Sequence, residues 1–550
     1  VGAGPTGLCL AISLLRNGVP VRIIDKAQEP RVGQKGFGIQ ASGGILDGVP
    51  ERGILDEVLE RASYIKNMLI YEMPGAVKVA RARVLETSPK VPATPDKPWP
   101  DSRLLGQDRF EAILTRHLEA AGGKIERGVE LLGFKQDDNH VYAELRKHAQ
   151  RDTEHAQFDF LIGCDGGHSI VRRFLGLAFV GETRDAEWSL IADVVVRGLD
   201  SNYWHIFSNG SGPKDMRLTL RSADIPEIST IIDSGDRETY ADPREALTVL
   251  IKDFYAITGR TDIEFGEVKC ASWYRPNIRM VDRFGDGRVF VAGDAAHTHS
   301  PAGGQGMNSG IQDGFNLAWK LALVHKKLAP LTLLATYSSE RLPVIATMLQ
   351  KTTEISEAFV KAAYQQRTDP ATGEWKRDGA MKQFGVNYRG SDIVLDERNP
   401  LLDAMPSAYG SGDGVLRAGD RAPSAPVRYA ADKGVQKMFD VFSCQRHTIL
   451  VFSSGEVGRG VVDVLISLPE GLSEVFVVTA PEKAHSDDEL TVLEDFAGHA
   501  RSIYQVDHDP TIAIIRPDGV IGAIVLEAYG IWRYFAKILD CVDLDSVSRL

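Results

Sequence analysis

A carboxylate followed by glycines gives segment 288–320 the clearest chemical signal in the sequence. Asp294 stands at the end of a short apolar run, 289–292, where its oxygens can accept hydrogen bonds from ligand hydroxyls. Gly304 and Gly306 follow, and a helical pattern begins there. Glycines let backbone N–H groups approach a ligand, and a helix start adds partial positive charge. The segment therefore predicts a site for an anion or an electron-rich ring, although such turns also occur in many α/β proteins.

The first residues of the chain carry a second glycine pattern. Gly2, Gly4 and Gly7 form G-x-G-x-x-G, followed by a helical run and a strand that ends at Asp25. In a βαβ unit these glycines permit a tight turn, close passage of a pyrophosphate and close helix packing, while the acid can hold a ribose. Such a unit needs several strand residues before its first glycine, and only Val1 is present. We therefore expect the natural chain to begin upstream of Val1.

The order strand, acid, glycine and helix occurs once more in the middle of this region. Strand 158–163 runs into Asp165 and Gly166, and a helical pattern containing Ser169 and Arg172 follows. Ligands of open α/β sheets bind outside the carboxyl ends of the strands. Three strand ends that carry Gly or Asp therefore predict one extended ligand that crosses all of them.

The elements that must position these turns change in type after residue 181. Alternating apolar and polar residues over 182–279 predict an antiparallel sheet, interrupted by a helix at 243–255. A sheet inserted into a nucleotide-binding fold makes a cleft for a small substrate. Its aromatic side chains could line that cleft, but aromatic residues at such spacing more often belong to the core of a sheet. These aromatic candidates are Trp204, His205, Phe207, Trp273 and Tyr274.

The last third of the chain has its own order. Helices are predicted over 330–364, and 365–424, rich in Gly, Pro, Asp and Arg, is predicted to be a linker. Beyond it, predicted helices near 435–441, 457–467, 490–500 and 529–539 alternate with strands. This βαβ then ββα arrangement looks like a thioredoxin-type fold. A C-x-x-C dithiol is missing, so the sequence predicts scaffolding or an oligomer contact such as a homodimer interface.

Composition limits the class of protein. A chain of 550 residues with 43% hydrophobic residues should form two or three globular domains. Its net charge of −12 argues against a nucleic-acid binder, and the absence of an apolar run of ~18 residues argues against a membrane-spanning protein. The five cysteines are widely spaced, which predicts no metal site and a reducing, cytoplasmic compartment. Cys9 and Cys164 have the apolar neighbours of small core residues.

Three motifs, GAGPTG, CDGGHSIVR and GDAAHTHSPAGGQGMNSGIQDGFNLAWKL, occur in this order in one chain. With them the sequence resembles single-component FAD-dependent aromatic hydroxylases, most of all the phenol 2-monooxygenase branch. The resemblance covers nearly the whole chain. It implies an α/β fold with a Rossmann-type FAD domain, an inserted substrate sheet like that of p-hydroxybenzoate hydroxylase, and a thioredoxin-like C-terminal domain. The implied boundaries are 1–66, 103–181 and 280–350 for FAD; 67–102 and 182–279 for substrate; 351–424 for a helical segment and linker; and 425–550 for the thioredoxin-like domain.

The resemblance also implies roles at matching positions. In that family the glycines matching Gly2, Gly4 and Gly7 and the acid matching Asp25 hold the ADP half of FAD. The residue matching Gln107 touches the same nucleotide.

Further matches lie nearer the flavin ring. Asp165 and Gly166 match a pair associated with both FAD and NADPH, and Asp294 matches an acid that bonds the ribityl chain. Pro301 matches a proline between flavin and substrate. The loop and helix start beside the ring are matched by Gly304, Gly306, Met307 and Asn308.

The implied chemistry is carried by the cofactor. Reduced flavin adds dioxygen at C4a, and the distal oxygen of the hydroperoxide passes as an electrophile to an electron-rich ring. NADPH or NADH is the transient electron donor and dioxygen the co-substrate. No metal is implied.

The sequence departs from the family pattern in two respects. Lys35 is the one obvious candidate for a basic residue after the second strand, and ASGG replaces a more usual arginine-containing turn. The base that would deprotonate a phenol is open, because each candidate is equally plausible as a structural hydrogen-bonder. These candidates are Tyr203, His205, Tyr274 and Arg279.

The sequence thus predicts an FAD-dependent, NAD(P)H-consuming monooxygenase that hydroxylates a small phenolic or polycyclic aromatic compound. Baeyer–Villiger oxygen insertion beside a ketone is the enzymatic alternative on the same fold. A flavin halogenase is disfavoured because no W-x-W-x-I-P stretch is present. A flavin-free binding protein is the alternative from another class, and the colour of the purified protein would separate it from a flavoprotein.

Overall fold

The chain has a mixed α/β fold. The computed structural model describes residues 1–34, 38–39, 52–71, 82–87, 90–148, 152–184, 188–208, 217–234, 240–300, 304–364, 382–398, 407–410, 414–430, 432–454, 459–481 and 490–540.

The helices of this part are α1 (Pro5–Arg16), α2 (Arg52–Arg61), α3 (Gln107–Ala120), α4 (Ile170–Phe174), α5 (Pro243–Thr258), α6 (Gly306–His325), α7 (Ala335–Tyr364), α8 (Arg459–Ser467), α9 (His499–Ile503) and α10 (Ala528–Phe535). Short 3₁₀ helices cover Gly293–Ala295, Leu331–Leu334 and Met438–Asp440. The helices predicted at 104–121, 243–255, 306–322 and 457–467 are confirmed.

Strands up to residue 300 are β1 (Ile23–Asp25), β2 (Gly38–Ile39), β3 (Ser63–Tyr64), β4 (Asn67–Tyr71), β5 (Ala82–Leu85), β6 (Arg103–Leu104), β7 (Ile125–Arg127), β8 (Val129–Gln136), β9 (Val141–Lys147), β10 (Thr153–Phe158), β11 (Leu161–Gly163), β12 (Phe179–Thr183), β13 (Ser189–Arg197), β14 (Tyr203–Ser208), β15 (Arg217–Ser222), β16 (Ile228–Asp233), β17 (Glu264–Tyr274), β18 (Asn277–Val281), β19 (Gly285–Asp286), β20 (Val289–Val291) and β21 (His297–Thr298). Later strands are β22 (Leu395–Asp396), β23 (Pro426–Tyr429), β24 (Asp432–Lys437), β25 (His447–Phe452), β26 (Ser473–Thr479), β27 (Thr491–Glu494), β28 (Thr511–Ile515) and β29 (Ile521–Val525).

Parallel pairs form the part of the fold that carries the glycine turns. β1 pairs with β7, and β11 pairs with β20. Val1 lies between the two pairs, because its ammonium group donates to the Ile162 carbonyl (2.7 Å) while the next N–H, of Gly2, donates to the Ile24 carbonyl (2.8 Å). A cavity of about 410 Å³ continues this gap between β1 and β11. It is lined by side chains of α1, α6 and strands β1, β8, β9, β10 and β11, together with Val21 and Phe160 beside them, so we assign it to the interior of the sheet layer and not to the ligand.

A seven-stranded sheet in the order β17-β13-β16-β15-β14-β4-β5 contains the predicted antiparallel segment. Its pairs are antiparallel except for β14 with β4. Phe207 stacks on Tyr71 with ring centroids 4.3 Å apart, and Trp204 donates its indole N–H to the Ser222 carbonyl (2.9 Å). Both are fully buried, as is His205. The prediction that these aromatic residues belong to the sheet core more often than to a cleft is confirmed for these three.

The C-terminal sheet has the order β22-β29-β28-β25-β26-β27-β23-β24. β25 is parallel to β26 and antiparallel to β28. The helix predicted at 435–441 is wrong over 435–437, which belong to strand β24 against β23, while 438–440 forms a 3₁₀ helix. The helix predicted at 490–500 is also wrong over its first half, where β27 extends the sheet beside β26. Short apolar runs are compatible with both the helical period of 3.6 residues and the strand period of 2 residues. Pairing with a neighbouring strand decides which of the two structures forms.

The stretch predicted as a linker contributes buried side chains wherever the structure describes it. Tyr388 and Tyr409 belong to the same apolar core as β11 and β20, and Ile393 lies in the core beneath α10. β22 adds to the C-terminal sheet beside β29. A segment held by these contacts is part of the packed structure, so the prediction of a surface linker is wrong for these residues.

Buried charges fasten the C-terminal sheet to α6 and α7. Arg516 donates to both oxygens of Glu340 (2.7 and 2.9 Å), and Lys320 donates to the same carboxylate (2.7 Å). Burial raises the pKa of Glu340, but these two cations outweigh it and hold that pKa well below its usual range. Burial lowers the pKa of Lys320 to about 8.

Membrane-spanning helices and metal sites are the features considered next for the described residues. None of their helices is both long and apolar enough to cross a bilayer. No group of three or more His, Cys, Asp or Glu side chains among them could hold a metal ion. Cys9 and Cys164 are packed among apolar side chains, as predicted, and burial raises the pKa of the Cys164 thiol to about 12.

Candidate functional site

The three glycine-bearing strand ends lie against one another. Gly2 has a φ of +97°, and a Cβ there would lie 2.6 Å from the Cys164 carbonyl carbon, next to Asp165. Gly293 has a φ of +61°, and a Cβ there would lie 2.6 Å from Thr6 Oγ1, in the turn of residues 2–7. Because only a bare glycine Cα fits at these contacts, the turns at residues 2–7, 164–166 and 293–294 form one continuous edge.

Glycines on one face of α6 bring this helix close to α1. A Cβ at Gly310 would overlap Thr6 Oγ1 and lie 3.0 Å from the Gly293 Cα, and a Cβ at Gly314 would lie 3.4 Å from Leu10 Cβ. Their four-residue spacing puts them on one helix face. Both helices therefore begin at the same edge, with Thr6 between them. Thr6 was not predicted as a site residue, although the spacing of the glycines on α6 is visible in the sequence.

The first three glycines differ in what surrounds them. Gly2 and Gly7 face backbone: a Cβ at Gly7 would overlap the Gly2 carbonyl oxygen. Gly4, which precedes α1 with φ −78°, has nothing within 4 Å of where its Cβ would be. Gly2 and Gly7 thus shape the turn, whereas the space beside Gly4 is open to a ligand at a helix N-terminus.

Asp25 lies at the end of β1, and Gln107 lies at the start of α3. The Asp25 carboxylate accepts the N–H of Ala3 (2.8 Å), so the acid at the end of β1 also fixes the glycine turn. Gln107, the first residue of α3, donates its side-chain amide to Glu111 (2.9 Å). Burial raises the pKa of Glu111, with Arg31 at 3.5 Å opposing the shift. Glu111 was missed by sequence reasoning, although it stands four residues after Gln107 on the same helix.

Asp165 and Gly166 form a tight turn. Gly166 has a φ of +82°, and Asp165 accepts the Ser169 hydroxyl (2.6 Å) and the N–H groups at the start of α4. Arg172, buried on that helix, donates to the Ala295 carbonyl (2.8 Å). Asp165 therefore orients its own turn, and Arg172 ties that turn to the one that carries Asp294.

Asp294 presents an exposed carboxylate for which no hydrogen bond is found within the described part of the chain. The backbone behind it is held firmly: Gly293 donates its N–H to Asp313 (2.9 Å), which also contacts His297 Nε2 (2.7 Å) and Arg341 Nε (2.7 Å). Burial alone would raise the pKa of Asp313, but the opposing effect of Arg341 and His297 is larger and the pKa is lowered overall. This buried carboxylate is therefore charged. Sequence reasoning missed Asp313 and Arg341, because burial is not visible in the residue types.

The start of α6 is tied to the preceding loop. Gly304 has a φ of +63°, and Asn308 donates its side-chain amide to the Gly304 and Gly38 carbonyls (both 2.9 Å). Gly306 leaves room for the His299 ring, which a Cβ would overlap. Burial lowers the pKa of His299, so its imidazole is neutral near pH 7.

The remaining predicted ring-side residues have different outcomes. Met307 packs partly buried against the core formed by α1 and α3. Pro301 and Lys35 lie outside the described residues, so their predicted roles stay predictions.

Two of the four candidate bases lie next to His299, and Tyr274 is one of them. Tyr274 donates its hydroxyl to the His299 carbonyl (3.2 Å). His205 contacts the Tyr71 hydroxyl (2.8 Å) and the Asp200 carbonyl (2.9 Å), and burial lowers its pKa, so it is a neutral core residue.

The other candidate there is Arg279, which pairs with Thr298 between β18 and β21, whereas Tyr203 is not among these strands. Tyr203 packs against the sheet core, and Arg279 donates to the Phe179 carbonyl (3.0 Å).

The arrangement suits a long, hydroxyl-rich dinucleotide. Gly4 leaves space for a pyrophosphate at the start of α1, and Asp294 offers acceptor oxygens on the adjacent turn. The start of α6 adds N–H groups and partial positive charge on the other side. These donors and acceptors match the phosphates, ribityl hydroxyls and ring of FAD.

Comparisons with known proteins agree with this geometry. Residues 1–352 match the family described as FAD binding domain. The chain is 32% identical to a flavin-dependent monooxygenase of Mycobacteroides abscessus, covering 98% of this chain and 99% of that protein. It is 30% identical to 6-methylpretetramide 4-monooxygenase of Streptomyces rimosus, covering 95% and 89%. The flavin-dependent monooxygenase PieE, solved with FAD and substrate, superposes with a TM-score of 0.77 at 21% identity over 98% of both chains.

Proposed function

The chain belongs to the FAD binding domain family and is a flavoprotein aromatic monooxygenase. From this premise we propose that it uses NAD(P)H and O₂ to hydroxylate a phenolic or polycyclic aromatic compound. One observation carries the proposal: the space beside Gly4 is empty, and Asp294 on the neighbouring turn is exposed. Their positions at two helix starts and strand ends fit the length and the polar groups of FAD. The name of the relative that acts on 6-methylpretetramide supports an aromatic substrate.

We assign the ADP half of FAD to the first βαβ unit. The N–H groups at the start of α1 would hold the pyrophosphate beside Gly4, and Asp25 would bond the ribose with an oxygen that Ala3 keeps in place. Gln107 would contact the same nucleotide from α3. Asp165 and Gly166, whose turn Arg172 joins to the next one, would support the middle of the cofactor.

We assign the flavin half to the edge between Asp294 and α6. Asp294 would accept hydrogen bonds from the ribityl hydroxyls, while the helix start beside Gly306, Met307 and Asn308 would stabilise negative charge on the ring. Asn308 holds Gly304 in place for that contact. The bound FAD would supply the activation of dioxygen.

The substrate would lie between the seven-stranded sheet and the start of α6. Tyr274, at the end of β17, reaches this position, since its hydroxyl donates to the His299 carbonyl. Its oxygen lone pairs would accept the proton of a substrate hydroxyl in a hydrogen bond and so orient the ring. The sheet would exclude water from the reacting atoms.

The finer fold assignment belongs to the same proposal. We propose an FAD domain of Rossmann type, an inserted substrate sheet like that of p-hydroxybenzoate hydroxylase, and a thioredoxin-like domain at 425–550. The sheet order β29-β28-β25-β26, with β28 antiparallel to β25, supports the last of these.

The test begins with the purified protein. We expect a bound flavin with visible absorption, and NADPH or NADH oxidation that a panel of phenols and polycyclic aromatics stimulates. Products carrying one ¹⁸O atom from ¹⁸O₂ should be phenols by NMR. A lactone or ester would instead indicate Baeyer–Villiger insertion, and protein unable to take up FAD would refute the proposal.

A further inference from the structure

Gln383 combines burial with a backbone conformation that side chains rarely adopt. It is 1% exposed and has a φ of +64°, in the left-handed region. A non-glycine residue is strained there and persists when its surroundings over-determine it. The hydrogen bonds of the Gln383 side chain therefore identify the contacts that hold this backbone conformation in place.

The Gln383 amide joins two glutamines of the α6 region. Its Nε2 donates to Gln305 Oε1 (2.8 Å), and its Oε1 accepts from Gln312 Nε2 (2.9 Å). Gln305 is the residue at the N-terminal end of α6, and its carbonyl accepts the N–H of Ser309 (2.9 Å). Tyr409 donates a second hydrogen bond to Gln305 Oε1 (3.1 Å). The start of α6 is thus anchored by side chains from the stretch 382–410.

The polarity of this chain of amides is fixed by Arg341. Its guanidinium donates to Gln312 Oε1 (3.1 Å), and a guanidinium has no acceptor. Gln312 must then present its NH₂ to Gln383, and Gln383 must present its NH₂ to Gln305. Arg341 also contacts Asp313, which holds Gly293 behind Asp294. One buried network therefore sets both the turn at Asp294 and the start of α6.

The backbone around Gln383 and Tyr409 is attached to the C-terminal sheet. Val386 and Tyr409 form a bridge, and Gly410 donates its N–H to the Gly385 carbonyl (2.8 Å). Next to this bridge, Tyr388 donates its N–H to the Gly419 carbonyl (2.8 Å).

Gly419 completes the connection, because its own N–H donates to the Ile521 carbonyl of β29 (2.7 Å). A path of hydrogen bonds, joined by the short backbone segment 386–388, thus runs from β29 through Tyr409 to Gln305 at the start of α6.

We propose that Gln383 is a positioning residue that fixes the start of α6 for the flavin ring, and that the C-terminal sheet serves the reaction by supporting it. This inference rests on the proposed function for the identity of the ligand. The positioning itself is a property of the chain and is measurable without FAD.

The test compares Gln383→Leu with Gln505→Leu. Gln505 is a matched control, because it also has a left-handed φ (+53°), while its side-chain amide bonds the backbone at Gly414 and Leu416, far from α6 in the sequence. In FAD-free protein, Gln383→Leu should speed hydrogen exchange of the amides at 305–310 by about tenfold or more, while Gln505→Leu leaves them unchanged. FAD should bind Gln383→Leu about tenfold more weakly, with a changed visible flavin spectrum.

The outcomes separate this inference from the proposed function. If Gln383→Leu exchanges at 305–310 at the wild-type rate, the inference is overturned, whatever the cofactor. If the wild-type protein takes up no FAD, the proposed function fails while the exchange result still judges the positioning. Should Gln383→Leu fail to fold, Tyr409→Phe removes the other bond to Gln305, and faster exchange there supports the inference while an unchanged rate overturns it.

Discussion

Gly4→Ala should separate cofactor binding from folding. Gly4 has an ordinary φ of −78°, which any residue can adopt, and nothing lies within 4 Å of the added Cβ. Replacing an N-cap glycine by alanine destabilises a helix by a few tenths of a kcal/mol to about 1 kcal/mol. Alanine also lowers the conformational entropy of the unfolded chain, which offsets ~0.4–1 kcal/mol of that loss. The free energy of unfolding should therefore change by less than about 1 kcal/mol.

The ligand has less room for the same methyl group. A Cβ beside the start of α1 would push a pyrophosphate away from the helix N–H groups by about an ångström, because it extends ~1.5 Å from the Cα. Losing two hydrogen bonds to a charged group, at ~1.5–3 kcal/mol each, corresponds to a Kd for FAD raised about 10²- to 10⁴-fold.

Flavin fluorescence titration of cofactor-free protein measures this Kd, and denaturant unfolding measures stability. Gly460→Ala is the control, since its Cβ would make an ordinary 3.8 Å contact with Ala528 on another part of the surface of the fold. Gly7→Ala should instead lose stability and FAD together, because its Cβ would overlap backbone. A folded Gly4→Ala protein with wild-type FAD affinity would refute the assignment of the pyrophosphate.

Three further changes test other parts of the structure. Asp294→Ala should raise the Kd for FAD by about tenfold or more without altering the unfolding midpoint, because the side chain is exposed and bonds to hydroxyls are proposed; unchanged flavin content would contradict this. Glu340→Gln leaves the buried Lys320 without its carboxylate partner and Arg516 with Asp518 alone, and it should cost about 3–5 kcal/mol in urea unfolding. Folding lowers the pKa of Glu340, so the stability that its charge contributes is present above its pKa in the unfolded chain, about 4.3, and is lost as pH falls through its pKa in the folded protein. Below pH ~4 the wild-type protein should therefore lose stability more steeply than the variant. Parallel plots of unfolding free energy against pH for the two proteins would contradict this. Asp165→Ala removes the carboxylate that caps α4 and should lower stability by about 1–2 kcal/mol, measured by thermal unfolding.

Local patterns in the sequence predicted the elements of the site. The glycines at 2, 4 and 7, the acid at Asp25 and the apolar runs before Asp165 and Asp294 each depend on neighbours within a few residues. Turn geometry and helix periodicity are properties of such short segments, and the structure has the strands and helices there. Alternation along a strand does not say which face of the sheet is covered, so the choice between core and cleft for Phe207 depended on the tertiary structure.

Pairing between distant segments decided the elements that prediction missed. Residues 491–494 join a sheet because β26 offers a strand edge, although their pattern also fits a helix. Gln383 gave no signal in a stretch predicted to be a linker, yet it contacts Gln305 across 78 residues of chain.

The sequence alone determined that this chain has three turns suited to a dinucleotide, since glycine conformation and helix starts are encoded locally. Only the tertiary structure decided that Gly4 faces open space while Gly2 and Gly7 face backbone, and that Asp294 is exposed while Asp313 is buried and paired. The reason is physical: burial and close approach depend on which segments pack together, and residue spacing does not carry that information.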